Sequence, residues 1–146
     1  MSKEHILIIE DETDIQELIQ FNLEKEGYRI TATLTGEEGV SQAKSSSPDL
    51  ILLDLMLPGI DGFEVCRRLK SDTETKKIPI VMLTAKGEDT DIVSGLELGA
   101  DDYITKPFQP RVLIARIRSV LRRAHQDFSE DASVMSIHNI ILDTSR

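Results

Sequence analysis

Glu10, Asp11 and Asp54 each stand at the end of an apolar run, and that placement gives them a chemistry that scattered surface acids lack. Ile6-Leu7-Ile8-Ile9 leads into Glu10-Asp11-Glu12, and Leu50-Ile51-Leu52-Leu53 leads into Asp54 and then Leu55-Met56-Leu57-Pro58-Gly59. Four aliphatic residues closed by a carboxylate and a Pro-Gly turn read as a buried parallel strand. Open α/β sheets keep their chemistry at the carboxyl ends of such strands. Two of them side by side would gather three carboxylates, which repel one another unless a cation lies among them. Hard oxygen ligands in small number suit Mg²⁺, which keeps several waters and shares its shell with phosphate oxygens. The backbone carbonyl of Met56, just past Asp54, is expected to complete the protein's share.

Two further residues bring phosphate chemistry to the same edge. Thr84 closes an apolar run at Ile80–Leu83 and offers a hydroxyl. Lys106 follows Tyr103-Ile104-Thr105 and offers an ammonium for a carboxylate or a phosphoryl oxygen. A carboxylate, a divalent cation, a hydroxyl and an ammonium around one point make a phosphoryl-accepting site. Asp54 is then the nucleophile, with Lys106 and Thr84 holding phosphoryl oxygens. Lys106-Pro107 is also a candidate cis peptide.

Strands and helices must hold these residues together, and their signals alternate along the chain. Ile6–Ile9 predicts a strand and Asp14–Glu26 a helix, with Ile15, Leu18, Ile19 and Leu23 on one face and Gly27 as its stop. Tyr28–Leu34 alternates imperfectly, as a more exposed edge strand does. Gly36–Lys44 predicts a short helix, Ser45-Ser46-Ser47-Pro48 a loop, Leu50–Leu53 the central strand and Phe63–Lys70 a helix. A fourth strand spans Ile80–Leu83, a helix Asp91–Leu98, a fifth strand Tyr103–Thr105 and a last helix Pro110–Arg123. Strand and helix alternating five times predict an α/β fold with a doubly wound, five-stranded parallel sheet and right-handed crossovers.

Beyond Arg123 the pattern changes. Ala124–Ser133 is polar and acidic, like a linker, and Val134–Asp143 regains Ile137, Ile140, Ile141 and Leu142. The expected division is a domain over residues 1–123, a linker over 124–133, and the opening of a second, truncated domain over 134–146.

A net charge of −9 argues against this chain alone gripping a phosphate backbone, which rests on Lys and Arg contacts. The single cysteine, Cys66, excludes an internal disulfide and fits an apolar helix stripe with Val65 and Leu69. His5, His125 and His138 are scattered and lack zinc-ligand spacing with it. No stretch approaches the ~20 apolar residues of a membrane span, and no signal peptide is evident, so a soluble, cytoplasmic protein without membrane contact is expected.

In order and placement, Glu10-Asp11, Asp54 with its Leu-Met-Leu-Pro-Gly-Ile-Asp-Gly continuation, Thr84-Ala85, Gly99-Ala100-Asp101-Asp102-Tyr103 and Lys106-Pro107-Phe108 carry a family likeness. From Lys3 to about Arg123 the chain resembles the receiver domain of two-component response regulators, of flavodoxin-like (βα)5 fold. The resemblance implies that Asp54 takes a phosphoryl group from the histidine of a sensor kinase, with Mg²⁺ on Glu10, Asp11 and Asp54. It implies a phosphoacceptor rather than a turnover enzyme. It also implies a switch in which Thr84 moves toward the phosphoryl group and Tyr103 turns inward behind it. Met56 and Lys86 are expected to tune the lifetime of the phosphorylated state.

Gly95–Arg123 looks, more narrowly, like the OmpR/PhoB transcription-factor subfamily. That likeness implies homodimerisation on phosphorylation through the fourth helix, fifth strand and fifth helix. Asp101, Asp102, Arg116, Arg118 and Arg123 would supply inter-subunit ion pairs. Where members often pair a base on the fourth helix with an acid on the fifth, this chain has Ile92 and Val112, and a hydrophobic contact is expected instead. Val134–Asp143 is similar to the strand that opens a winged-helix effector domain, so DNA is expected to be bound only through that missing C-terminal domain.

Other readings meet obstacles. An Asp-nucleophile phosphatase needs a second acid two residues on, where Met56 stands. A nucleotide- or flavin-binding domain needs a glycine-rich phosphate loop, which is absent. A stand-alone receiver acting by protein contact should stop near Arg123.

Overall fold

The apolar runs become strands and the amphipathic stretches helices. A computed structural model describes residues 4–85 and 89–137 of the chain. Its elements run β1 (His5–Ile9), α1 (Thr13–Lys25), β2 (Arg29–Thr33), α2 (Gly36–Ser46), β3 (Leu50–Asp54) and α3 (Gly62–Ser71). They continue as β4 (Ile80–Ala85), α4 (Asp89–Glu97), β5 (Asp102–Lys106) and α5 (Pro110–Ile137). The five strands form one parallel sheet in the order β2-β1-β3-β4-β5. This is the doubly wound α/β fold that the alternation predicts.

Strand periodicity divides the aliphatic runs between two cores. Ile6, Ile8, Leu50, Leu52, Val81, Leu83 and Ile104 face α1 and α5, packing on Ile19, Leu23, Leu113, Ile117 and Val120. Leu7, Ile9, Ile51, Leu53, Ile80 and Met82 face the other way, onto Ala43, Val65, Cys66 and Leu69. A strand buried on both faces has no polar positions to spare, which is why its sequence reads as a continuous apolar run. Edge strand β2, half-buried over Ile30–Ala32, shows the imperfect alternation expected of it.

The chain crosses from β1 to β2 on one side and later returns to β3 on the other. That reversal leaves the carboxyl ends of β1 and β3 adjacent, with no crossover lying over the crevice between them. Ile9 pairs in register with Leu53, so the next residues, Glu10 and Asp54, come out side by side. On the far flank Asp54 aligns with Leu83, and Ala85 with Lys106.

Two boundaries differ from expectation. Ser45 and Ser46 belong to α2, which ends at Ser47 in the left-handed region with φ of 47°. Helix α5 continues to Ile137, so the helix predicted to stop at Arg123 and the linker predicted over 124–133 are one continuous helix through this stretch. Ala124–Ile137 is polar but contains neither Gly nor Pro, so nothing in it stops the helix. The strand expected to open at Val134 is helical as far as Ile137, and Ile140–Asp143 lies outside the described residues, as do Lys86 and His138. Among the described residues no helix is long and apolar enough to cross a membrane.

Candidate functional site

At the carboxyl edge of the sheet, one carboxylate oxygen from each of Glu10, Asp11 and Asp54 lies within 4.8 Å of the others. Glu10 is fully buried, Asp54 is 2% exposed, and Asp11 stands half-buried at the rim. The sequence brings them there by register: Ile9 pairs with Leu53, so β1 runs out into Glu10-Asp11 beside the point where β3 ends on Asp54. The turn after β3 is held in place by α3. Gly62 packs so closely that a Cβ there would lie 2.5 Å from the Asp54 carbonyl oxygen, and its N–H donates to the Leu55 carbonyl at 3.0 Å. In sequence Gly62 reads only as the last residue of the motif that follows Asp54.

Lys106, at the end of β5, reaches into the same place. Its Nζ is 3.2 Å from Glu10 Oε1, 3.3 Å from Asp54 Oδ1 and 3.6 Å from Glu12 Oε1. The peptide bond that follows, Lys106-Pro107, is cis as anticipated. The Met56 N–H donates to Asp54 Oδ1 at 3.2 Å, and the Glu12 N–H to Glu10 Oε2 at 3.0 Å. Gln16, on α1, fixes the backbone beneath by donating to the carbonyls of Glu10 and Thr33. In sequence Gln16 reads as an ordinary polar helix residue, and Glu12 closes the acid run Glu10-Asp11-Glu12 without an assigned role.

Electrostatics follow from this crowding. Burial pushes the Glu10 carboxyl up to about 7; the Glu12 amide opposes the rise, the Asp54 charge adds to it, and the Lys106 ammonium opposes it again. Burial by itself would lower Lys106, but the Asp54 and Glu10 carboxylates outweigh it and hold the ammonium above its ordinary value. Glu10 Oε1 is buried and has no aligned hydrogen-bond donor, although Lys106 stands near it as an ion-pair partner. A buried carboxylate oxygen with lone pairs to spare, beside two more carboxylates, is what a hard divalent cation requires. The residues present therefore fit Mg²⁺.

The other predicted residues fall into two groups. Thr84 is 2% exposed at the end of β4, with its hydroxyl donating to the Ala85 carbonyl at 3.4 Å. Tyr103 is half-buried and borders a small apolar hollow with Leu55, Met82, Thr84, Ile92, Leu96 and Ala100. These line the path from the carboxylates to α4. Asp102 accepts from Arg116 at 3.1 Å, and Val112 is 42% exposed on the neighbouring turn of α5. Asp101 lies elsewhere, accepting from the Ile80 N–H at 2.9 Å at the opposite edge of the sheet. Arg123 is exposed.

Arg118 has a partner within the chain. It pairs with Glu26 at the end of α1, so it faces away from β5 and does not join Arg116. Residues two apart on a helix point in roughly opposite directions, about 200° around the axis, which separates these two arginines.

With this geometry, comparison with known proteins is direct. The family model described as "Response regulator receiver domain" matches residues 6–118. The chain is 51% identical over 119 residues to the alkaline phosphatase synthesis transcriptional regulatory protein PhoP of Bacillus subtilis, covering 82% of this chain and 49% of that protein. It is 48% identical over 132 residues to the transcriptional regulatory protein AfsQ1 of Streptomyces coelicolor, covering 90% and 57%. The chain thus spans about half the length of the curated relatives it matches. Among solved structures, the receiver domain of sensor histidine kinase PA1611 from Pseudomonas aeruginosa, with magnesium coordinated in its active-site cleft, superposes with a TM-score of 0.76 at 31% identity. That match covers 82% of this chain and 98% of the other.

Proposed function

The chain belongs to the response regulator receiver domain family, and we propose that Asp54 is its phosphoacceptor, supplied by the phosphohistidine of a sensor kinase. An Asp54 carboxylate oxygen attacks phosphorus in line. The new P–O bond forms as the P–N bond breaks, and the imidazole nitrogen keeps the electron pair and takes up a proton. Hydrolysis reverses the state: water attacks phosphorus, the bond to Asp54 breaks, and inorganic phosphate leaves. Neither step regenerates a separate product cycle, so the chain serves as a timed acceptor rather than a turnover enzyme.

The observation that carries this reading is a buried carboxylate, Asp54, sharing Lys106 with Glu10 at 3.3 and 3.2 Å within a three-acid cluster. Glu10, Asp11 and Asp54, with the Met56 carbonyl, would hold Mg²⁺; when bound, it neutralises charge on the phosphoryl oxygens. Lys106 takes another of those oxygens, the Met56 N–H orients Asp54, and Thr84 supplies a hydroxyl when it turns from the Ala85 carbonyl. A phosphoryl group adds ~1.5–2 negative charges, enough to bias Thr84, Tyr103 and α4 toward a second arrangement.

The output is homodimerisation on phosphorylation through α4, β5 and α5, with Ile92, Asp101, Asp102, Val112, Arg116, Arg118 and Arg123 contributing. The chain is read as part of a longer, cytoplasmic protein, its matches covering only 57% and 49% of the two transcriptional regulators, in which residues 124–133 lead to a DNA-binding domain that begins within 134–146. DNA is contacted only by that domain.

The test is intact-mass measurement after a small phosphodonor is added with Mg²⁺. One acid-stable, base-labile phosphoryl adduct is expected in the wild type and none in Asp54→Ala; equal labelling of both would overturn the assignment. Light scattering with beryllofluoride and Mg²⁺ should show a rise in mass, and an unchanged monomer would remove the dimer.

A further inference from the structure

Lys106 has a third carboxylate partner that the phosphoacceptor reading does not use. Glu12 occupies the N-cap of α1, yet its side chain makes no capping hydrogen bond. Glutamate is a poor cap, because the short side chains of Ser, Thr, Asp and Asn reach the first-turn amides and its longer one does not sit well there. The Glu12 carboxylate instead extends to Lys106 Nζ at 3.6 Å, while its own backbone N–H is fixed on Glu10 Oε2 at 3.0 Å. The backbone is thereby anchored to the buried cluster, and the charge is left at the mouth. Of the three acids around Lys106, Glu10 and Asp54 are buried, but the Glu12 side chain is 60% exposed. It is the one an approaching phosphodonor meets first.

We infer that Glu12 is a positioning and donor-selecting residue: it holds the outer side of Lys106 and repels free dianionic phosphodonors. The inference rests on Asp54 being the phosphoacceptor. A donor delivered by a docked protein brings binding energy from elsewhere to overcome the repulsion, whereas a small acyl phosphate has none. A mouth carboxylate within a few ångströms of the ammonium thus favours protein-borne phosphoryl groups over metabolite-borne ones. The ammonium is shared between depth and mouth, 3.2 and 3.3 Å from Glu10 and Asp54 and 3.6 Å from Glu12.

Labelling of Asp54 with Mg²⁺ and acetyl phosphate, a dianion, compares wild type, Glu12→Gln and Glu12→Asp. Attack by Asp54 on phosphorus expels acetate with the electron pair of the broken P–O bond. At low ionic strength Glu12→Gln should label about 3-fold faster or more, and the difference should shrink as salt screens the charge. With phosphoramidate, which carries one net negative charge, the gain should be smaller. Glu12→Asp keeps the charge and should stay near the wild-type rate. A second reading uses metal-free protein: the Lys106 ε-carbon NMR signal should shift in Glu12→Gln, while that of Lys70, which faces Asp101, should not. Equal labelling rates at low salt, with Asp54 modified in both proteins, would overturn the role of Glu12 and leave the phosphoacceptor standing. Failure of the wild type to label at Asp54 would remove both.

Discussion

The Arg116 guanidinium lies 5.6 Å from the centroid of the Tyr103 ring while donating to both carboxylate oxygens of Asp102, at 3.1 and 3.3 Å. One side chain of α5 therefore clamps two consecutive residues of β5, and the second of them is the aromatic residue beside Thr84. The ring is held from outside by charge and from inside by the apolar hollow under α4. Replacing Arg116 by Ala should release the ring. Because the Arg116 side chain is 43% exposed, the stability lost should be modest, about 0.5–1 kcal/mol. Chemical denaturation measures that loss. The more telling readout is NMR of the Tyr103 ring, whose chemical shifts and flip rate should change; signals identical to wild type would show that Arg116 exerts no hold on it.

Much of this site is legible in sequence because strand ends are marked by abrupt changes of polarity. Ile9 to Glu10 and Leu53 to Asp54 are such changes, and parallel register does the rest. What is not legible depends on contacts far along the chain. Glu12 resembles a solvated charge until Lys106 arrives from β5. Gly62 resembles a helix-start glycine until the Asp54 carbonyl is seen against it. Arg118 shares its composition with Arg116 and is separated from it by helical angle, which counting charges does not reveal. The polarity of Ala124–Ser133 reads as a linker, yet the segment lacks any helix breaker and continues α5.

Gly62→Ala sets two effects against each other. Alanine favours a helix over glycine by about 1 kcal/mol at most. Against this, the added Cβ would come within 2.5 Å of the Asp54 carbonyl oxygen and 2.6 Å of the Leu55 Cα, both backbone atoms that cannot swing aside. The clash should win, with net destabilisation of about 1–3 kcal/mol, the usual cost of overpacking. Labelling of Asp54 should slow as well, since the turn carrying Met56 must shift. A variant as stable as wild type would show that α3 can back away without disturbing the loop.

His5 gives a pH dependence whose sign is fixed. It is 8% exposed, and its Nε2 lies 2.7 Å from the Thr31 hydroxyl. Burial, then the Arg29 charge, lowers its pKa below the ordinary 6.5, with Asp49 pulling the other way. A histidine that resists protonation in the fold takes protons more readily when unfolded. Its contribution to stability is therefore intact above pH 6.5 and is lost as pH falls below that value. Glu10, held up to about 7, gains stability over the same fall in both proteins, so the difference is what reports on His5: urea midpoints from pH 8 to 5 should shift in favour of His5→Gln over wild type as pH falls. Parallel curves would assign the pH dependence to other groups.

Lys106→Met tests the cation at the centre of the site. Among the described residues Lys106 is the cation paired with both Glu10 and Asp54, and its side chain is only 19% exposed. Removing it leaves two buried carboxylates facing each other with no counter-ion. The cost of stranding a buried charge is ~3–5 kcal/mol when the site is sealed. Asp11 keeps this one open at the rim, so about 1–3 kcal/mol is expected here, in the absence of divalent ions. Mg²⁺ among the same oxygens should offset much of that loss. Its stabilisation grows with concentration over dissociation constant, and the variant should gain more in melting temperature than wild type at equal Mg²⁺. Phosphoryl labelling should fall in the variant even when Mg²⁺ restores its stability, because the ammonium no longer meets the transferred group. Melting curves that respond equally to Mg²⁺ in both proteins would mean that the ion binds somewhere other than among Glu10, Asp11 and Asp54.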